Sequence, residues 1–339
     1  MATVTPASIP SAPRTSFNVG TRRSKLALAQ TELVVEALKK AYPERQFNVI
    51  SRDTAGDRDQ TTAFKDFTTK NLWTQEFEES LVKGDLDFIV HSLKDVPTLL
   101  PPKCALGGVI KREDPRDVLV MKQGLPYRSL DELPAGSVVG TSSIRRTAQL
   151  AQRYPHLKVE STRGNLGTRL AKLDAPDGRY TCLILAAAGL LRLGLGDRIT
   201  QYLDSTNGKM LYAVGQGAIG IEIREDDNTV LEMLDKIGDK ETLLATLAER
   251  SLLRTLEGGC SAPLGVESQW LPREDGAPKL RMRAIVVAVD GSRSAEAEVE
   301  GDVQDARSAE AFGLEVAKEL VAQGAGAILD EIKRSKITS

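Results

Sequence analysis

Ser137-Val138-Val139-Gly140-Thr141-Ser142-Ser143-Ile144-Arg145-Arg146 passes from an apolar, β-branched run through three hydroxyl residues into a pair of arginines. The first four residues predict a strand, and Thr141-Ser142-Ser143 supplies the oxygens that cap a helix N-terminus. A strand turning straight into a capped helix is the repeating unit of an α/β sheet. The unit recurs along the chain. Phe17-Asn18-Val19-Gly20 reads as a strand, and Ser24 caps a helix running to about Tyr42 with Leu26, Leu28, Leu33, Val34 and Leu38 on its apolar side. Phe47–Ser51 is a strand with a loop at Thr54–Asp57, and a helix over Glu76–Lys83 precedes the strand Leu86–His91. Further on, Val118–Val120, Leu157–Ser161 and Cys182–Ala186 read as strands, the last running into Ala187-Ala188-Gly189. The alternation predicts parallel sheets with helices on both faces.

Between the two sets lies Lys111-Arg112-Glu113-Asp114-Pro115-Arg116-Asp117, a charged, Pro-containing break that suits a domain crossing. Two α/β lobes of similar build follow from it. The last third differs. Thr242–Leu256 reads as one amphipathic helix, Leu280–Asp290 and Ser294–Gly301 as antiparallel strands joined at Asp290-Gly291, and Arg307–Gln323 as a helix. This is a small α+β domain with Cys260 near its start.

Composition narrows the classes of function. Aromatics make up 4% of a chain that is 41% hydrophobic, so the core is aliphatic. The 45 basic and 47 acidic residues leave a net charge of −2, which excludes a global polyanion-binding surface and argues against nucleic acid as the main partner. No apolar run is long enough to span a membrane. Cys104, Cys182 and Cys260 are far apart and odd in number, so no disulfide framework or metal motif follows, and His91 and His156 leave little for a zinc site. Residues 1–16 are rich in Ser, Thr, Ala and Pro, contain only Arg14 as a base, and lack the core of a secretory signal. They are expected to be a disordered tail, the protein to be cytoplasmic, and, with no coiled-coil stripe, a monomer.

The basic residues fall at strand ends and helix starts: Thr21-Arg22-Arg23-Ser24, His91-Ser92-Leu93-Lys94-Asp95, Thr141–Arg146 and Arg163-Gly164-Asn165-Leu166-Gly167-Thr168-Arg169. The carboxyl ends of strands line the ligand crevice in open α/β sheets, and helix N-termini there favour anions. Any one of these arginines taken alone reads more simply as a solvated helix residue; the recurrence at strand-to-helix turns points to a ligand with several carboxylates. Asp95 is the odd member. It either pairs with Lys94 or caps a helix at Pro97, or it shuttles a proton and stabilises a developing cation. Cys260, in Leu256-Glu257-Gly258-Gly259-Cys260-Ser261-Ala262-Pro263, sits between a Gly pair and an X-Pro step, where a backbone can present a thiol.

Together these segments resemble the porphobilinogen deaminase (hydroxymethylbilane synthase) family. The likeness runs in order through VGTRRSKLALAQ (Val19–Gln30), VHSLKDVPTLLP (Val90–Pro101), KREDPRDVLV (Lys111–Val120), VGTSSIRRTAQLAQRYP (Val139–Pro155), RGNLGTRLAKLD (Arg163–Asp174), ILAAAGLLRLGL (Ile184–Leu195), AVGQGAIGIEIR (Ala213–Arg224) and LEGGCSAPLG (Leu256–Gly265). It implies two periplasmic-binding-protein-like α/β lobes around a cleft plus a small α+β C-terminal domain. The division expected is 17–115 with 215–238, then 116–214, then 239–339. It implies a transferase that condenses four porphobilinogen molecules head to tail to hydroxymethylbilane, releasing ammonia, on a dipyrromethane cofactor held by a thioether. Cys260 matches the anchoring cysteine and Asp95 the catalytic acid, which protonates the departing amine and stabilises an azafulvenium-type cation. Arg22, Ser24, Lys94, Ser143, Arg145, Arg146, Arg163, Arg169 and Arg192 match positions that hold cofactor and substrate carboxylates, and Gln216 a residue near the inter-domain crossing. Lys70 and Trp73 match a loop that covers the cleft, although Phe67–Trp73 lacks that loop's glycines, and Leu191 stands where a Lys is common.

Two rivals are weaker. A non-catalytic two-lobed carboxylate-binding protein has no use for Cys260. A cysteine-nucleophile acyl-transfer enzyme needs a His base, and His91 reads instead as a satisfied strand-end residue.

Overall fold

The chain is seen in a computed structural model that describes residues 14–53, 74–256, 262–274 and 276–337, with side chains to residue 334. The first lobe begins β1 (Ser16–Arg22), α1 (Lys25–Ala41), β2 (Gln46–Arg52), α2 (Gln75–Lys83), β3 (Phe88–Ser92) and β4 (Cys104–Val109). β1 runs parallel to both β2 and β3. Ser24 caps α1 as expected, its hydroxyl accepting from the Ala27 N–H. Val34, Val35 and Leu38 of α1 pack on Phe17, Val19, Phe88 and Val90.

The second lobe holds β5 (Asp117–Met121), β6 (Val138–Gly140), α3 (Ile144–Arg153), β7 (Lys158–Glu160), α4 (Leu166–Asp174), β8 (Cys182–Ala186), α5 (Ala187–Arg192) and β9 (Gln201–Leu203). Its sheet has the order β7-β6-β8-β5-β9. The chain then returns to the first lobe as β10 (Ile219–Arg224), between β3 and β4, giving the order β2-β1-β3-β10-β4, and continues into α6 (Asn228–Ile237). The third unit comprises α7 (Lys240–Thr255), β11 (Leu264–Leu271), β12 (Lys279–Val287), β13 (Ser294–Gly301), α8 (Ala306–Ala322) and α9 (Ala325–Ile337). Its antiparallel sheet β11-β12-β13 shares a core with α7 and α8 through residues such as Leu252, Met282, Phe312 and Val316.

Two expectations need correction. The α/β sheets are mixed and not wholly parallel: β10 is antiparallel to β3 and β4, and β5 to β8 and β9. The parallel strands end at the cleft. A strand arriving from the other lobe starts there, so it runs the opposite way and needs no crossover helix. The ordered chain also starts before Phe17, since β1 begins at Ser16 and Arg14 donates to Asp87 and Asp227, each at 2.8 Å.

The two crossings between lobes are gripped by α7. Glu249, fully buried, accepts from both guanidinium nitrogens of Arg112 (2.6 and 3.1 Å) and from the Gly215 N–H (2.7 Å). Arg112 also donates to the Gln216 carbonyl at 2.7 Å. The crossings lie so close that a Cβ on Gly217, whose φ is +83°, would stand 2.4 Å from the Glu113 carbonyl oxygen. Only glycine fits there. Glu249→Ala would leave a buried guanidinium without its counter-ion. It is expected to lower unfolding stability by about 3–5 kcal/mol in urea denaturation; a loss under about 1 kcal/mol would show that the crossings do not depend on it.

Candidate active site

Where β3 ends, Leu93–Asp95 forms a single 3₁₀ turn. Asp95 is therefore held by backbone geometry at a strand end, and it caps no helix. It lies partly buried, and among the described residues no hydrogen bond or ion pair reaches its carboxylate. Lys94 beside it donates to the Gln216 side-chain oxygen at 3.5 Å. Burial, with help from Arg146 and Arg145, pulls the Lys94 amine down to about 8, against the attraction of Asp95 and Asp117.

The facing lobe presents the cations. α3 starts at Ser143, whose hydroxyl makes no cap hydrogen bond to the helix. Arg145 and Arg146 follow at once in its first turn, and both are buried. Their positive charge is balanced by Asp117, the fully buried first residue of β5: Arg145 Nη1 donates to one carboxylate oxygen and Arg146 Nη2 to the other, each at 2.7 Å. Burial alone would push Asp117 up, but the two guanidiniums outweigh it and hold the carboxyl below the usual carboxylate range. Arg145 also donates to the Leu211 carbonyl (2.6 Å) and Arg146 to that of Ile184 (2.7 Å). Among the described residues the Nε–H groups of both remain buried without a partner.

Arg163 and Arg169 flank the start of α4, which Asn165 caps by accepting from the Thr168 N–H. Arg169 donates through Nε to the Gly164 carbonyl at 2.8 Å. Burial, together with Arg146 and Arg163, brings Arg169 down to about 10, against the pull of Asp95. Asp95 and Arg169, from opposite lobes, are thus within electrostatic reach across the cleft. Arg192, at the end of α5, donates to the Gly217 carbonyl at 2.7 Å and so touches the crossing. Gln216 sits at that crossing as expected, donating to Pro115 (2.7 Å) and to Asp117 (2.8 Å).

Of the sequence-derived site, Lys94, Asp95, Arg145, Arg146, Arg163, Arg169 and Gln216 form one connected electrostatic set. Arg22 ends β1, beside the end of the parallel neighbour β3, and the Ser24 hydroxyl is engaged as a cap. Cys260, Lys70 and Trp73 lie outside the described residues. Sequence reasoning missed Asp117, which it placed only in a charged break. A lone acid gives no sign that it will be buried opposite an Arg pair. It also missed Glu249, whose position within an amphipathic helix looks solvated until the crossings are seen.

The two histidines and the two described thiols stand outside this set. His91 is buried with Nε2 3.1 Å from Glu222, a satisfied strand-end residue, and His156 is exposed beside Tyr154. Burial pushes the thiols of Cys104 and Cys182 up to about 12. Among the described residues no group of His, Cys, Asp and Glu could hold a metal ion, and no helix is long and apolar enough to cross a membrane.

Comparison with known proteins bears on the whole chain. Residues 17–232 match the family described as porphobilinogen deaminase, dipyromethane cofactor binding domain, and residues 243–322 match the porphobilinogen deaminase C-terminal domain. The porphobilinogen deaminase of Yarrowia lipolytica is 53% identical over 324 residues, covering 94% of this chain and 94% of that protein. Those of Candida albicans and Schizosaccharomyces pombe are 49% and 48% identical, covering 94% and 95% of this chain and 93% and 96% of theirs. With both parts of the chain matched in tandem and relatives alike from end to end, the chain belongs to the porphobilinogen deaminase family.

Proposed function

We propose that this chain condenses four porphobilinogen molecules head to tail into hydroxymethylbilane, releasing one ammonia at each step, with Asp95 as the acid. The observation that carries the reading is the placement of a carboxylate that accepts no hydrogen bond among the described residues, opposite Arg169 and beside Lys94 in a cleft otherwise lined with cations. Each substrate ring brings two carboxylates, so the growing chain accumulates negative charge that the Arg-rich lobe can neutralise.

The residues present fit a dipyrromethane cofactor. The buried, unpartnered Nε–H donors of Arg145 and Arg146 await acceptors, and an unpaired buried donor is costly. Together with Lys94, Ser143, Arg163, Arg169 and Arg192 they would hold its carboxylates. When bound, the cofactor would supply a nucleophilic pyrrole carbon at the free end of a tethered primer, so each addition gains the advantage of an intramolecular reaction. Cys260 is assigned as the anchoring thiol on its place in Leu256-Glu257-Gly258-Gly259-Cys260; Cys104 and Cys182 are buried and hard to ionise.

Asp95 does the proton work. It gives a proton to the substrate's departing amine as the carbon–nitrogen bond breaks, then as a carboxylate lies against the resulting cation. After the new carbon–carbon bond forms, it takes back the proton lost from the ring that was attacked, which restores the acid. Arg22, with Lys70 and Trp73 from the loop outside the described residues, is assigned to the incoming substrate. We place the divisions of the chain at 17–115 with 215–238, 116–214 and 239–339. They meet at the crossings gripped by Glu249, and we assign the protein to the cytoplasm as a monomer.

Asp95→Asn is expected to retain its cofactor by intact-mass spectrometry yet to lose at least about 100-fold in kcat. A near-normal rate would make Asp95 structural. Lys94 is charged below about 8 and neutral above it, so its attraction for carboxylates is present at lower pH and lost as pH rises through that value. Cofactor loading of the apo-protein, followed by mass, should slow over this range, and Lys94→Arg should flatten the dependence. An unchanged pH profile in that variant would remove Lys94 from carboxylate capture.

A further inference from the structure

Because no described group hydrogen-bonds its side chain, the position of the Asp95 carboxyl depends on the backbone that carries it. That backbone is a single 3₁₀ turn, a short element with poor hydrogen-bond geometry of its own. At its front the Leu93 N–H donates to the Ala218 carbonyl of the returning crossing at 3.0 Å, and the Val96 N–H closes the turn on Leu93 at 3.1 Å. Behind it come the carbonyls of Val96 and Pro97, which continue into no helix or strand. Arg250 of α7 takes both: Nη1 donates to Val96 at 3.0 Å and Nη2 to Pro97 at 2.6 Å. The residue is only 5% exposed.

We propose that Arg250 is a positioning residue for Asp95, holding the acid turn to the helix that leads toward the anchoring cysteine. The inference rests on the reading of Asp95 as the catalytic acid. A guanidinium suits the task because its planar fork reaches two successive carbonyls at fixed separation, which one ammonium does with less geometric definition. The neighbouring residue strengthens the argument. Glu249 grips the crossings through Arg112 and Gly215, so one turn of α7 fixes the acid turn and the inter-lobe crossings together. Cys260 follows Arg250 by ten residues in the chain. A misplacement of a reacting group by about 1 Å can cost on the order of 100-fold.

The test is a double-mutant cycle on the purified holoenzyme. Arg250→Ala is expected to carry its full cofactor mass and to keep KM within about threefold, while kcat falls about 10- to 100-fold. Arg250→Lys should recover part of that loss. In an Asp95→Asn background, Arg250→Ala should cost little further, because the group it positions is already gone. The proposal is overturned by a kcat within about twofold of the parent, by a loss that simply adds to that of Asp95→Asn, or by a variant that fails to load cofactor. Should Arg250→Ala not fold, Arg250→Lys and its combination with Asp95→Asn serve the same cycle. An Asp95→Asn enzyme with normal turnover would instead sink the assignment of the acid itself, so the two failures are distinct.

Discussion

Much of this structure depends on the buried carboxylate of Asp117. A buried arginine is costly unless it is paired and hydrogen-bonded, and the start of α3 buries two in succession. Asp117 takes one guanidinium on each oxygen and still accepts from Gln216. That third contact ties the cationic lobe to the crossing, and Gln216 passes the link to Lys94. The anion also explains how both arginines can stand ready in the cleft while the chain stays folded. Nη1 of Arg145 and both Nη groups of Arg146 are anchored, and among the described residues the Nε–H groups are left over as donors. A second buried acid, Glu249, does the corresponding work for Arg112.

A near-neutral chain therefore holds a strongly basic cleft by distribution. Among the described residues Asp117 is buried behind Arg145 and Arg146, whereas Asp95 lies only partly buried beside Lys94. Where positive charge is concentrated and partly dry, a carboxylate gains in leverage over any cation that develops beside it. The values of Lys94 and Arg169 are depressed first by burial, and neighbouring arginines lower them further.

Much of the frame was legible in the sequence because strand and helix starts carry local signals. The Ser24 cap, the strand at Val138–Gly140 and the hairpin around Asp290-Gly291 emerged within a residue or two. What stayed hidden was set by distant partners. β10 lies in a Gly-rich stretch whose Ile219, Ile221 and Ile223 alternate, but its pairing with β3 depends on the chain returning to the first lobe. The mixed direction of the first sheet follows from that return, and that of the second from the outbound crossing that delivers β5. In the site, the helix-start arginines and Asp95 were readable as residue types at strand ends. Asp117, Glu249 and Arg250 were not, since an acid or base in a charged break or an amphipathic helix gives no local sign of burial against a partner far along the chain.

The central claim is that a cation-lined cleft with one acid extends a chain tethered at Cys260. Intact-mass spectrometry of the purified protein, before and after a limiting amount of porphobilinogen, tests it most directly. The account predicts a protein heavier by a dipyrromethane, then a ladder of species each heavier by one further pyrrole unit, with the adduct absent from Cys260→Ser. A protein that turns over substrate with no covalent adduct, or one whose adduct survives the loss of Cys260, would contradict it.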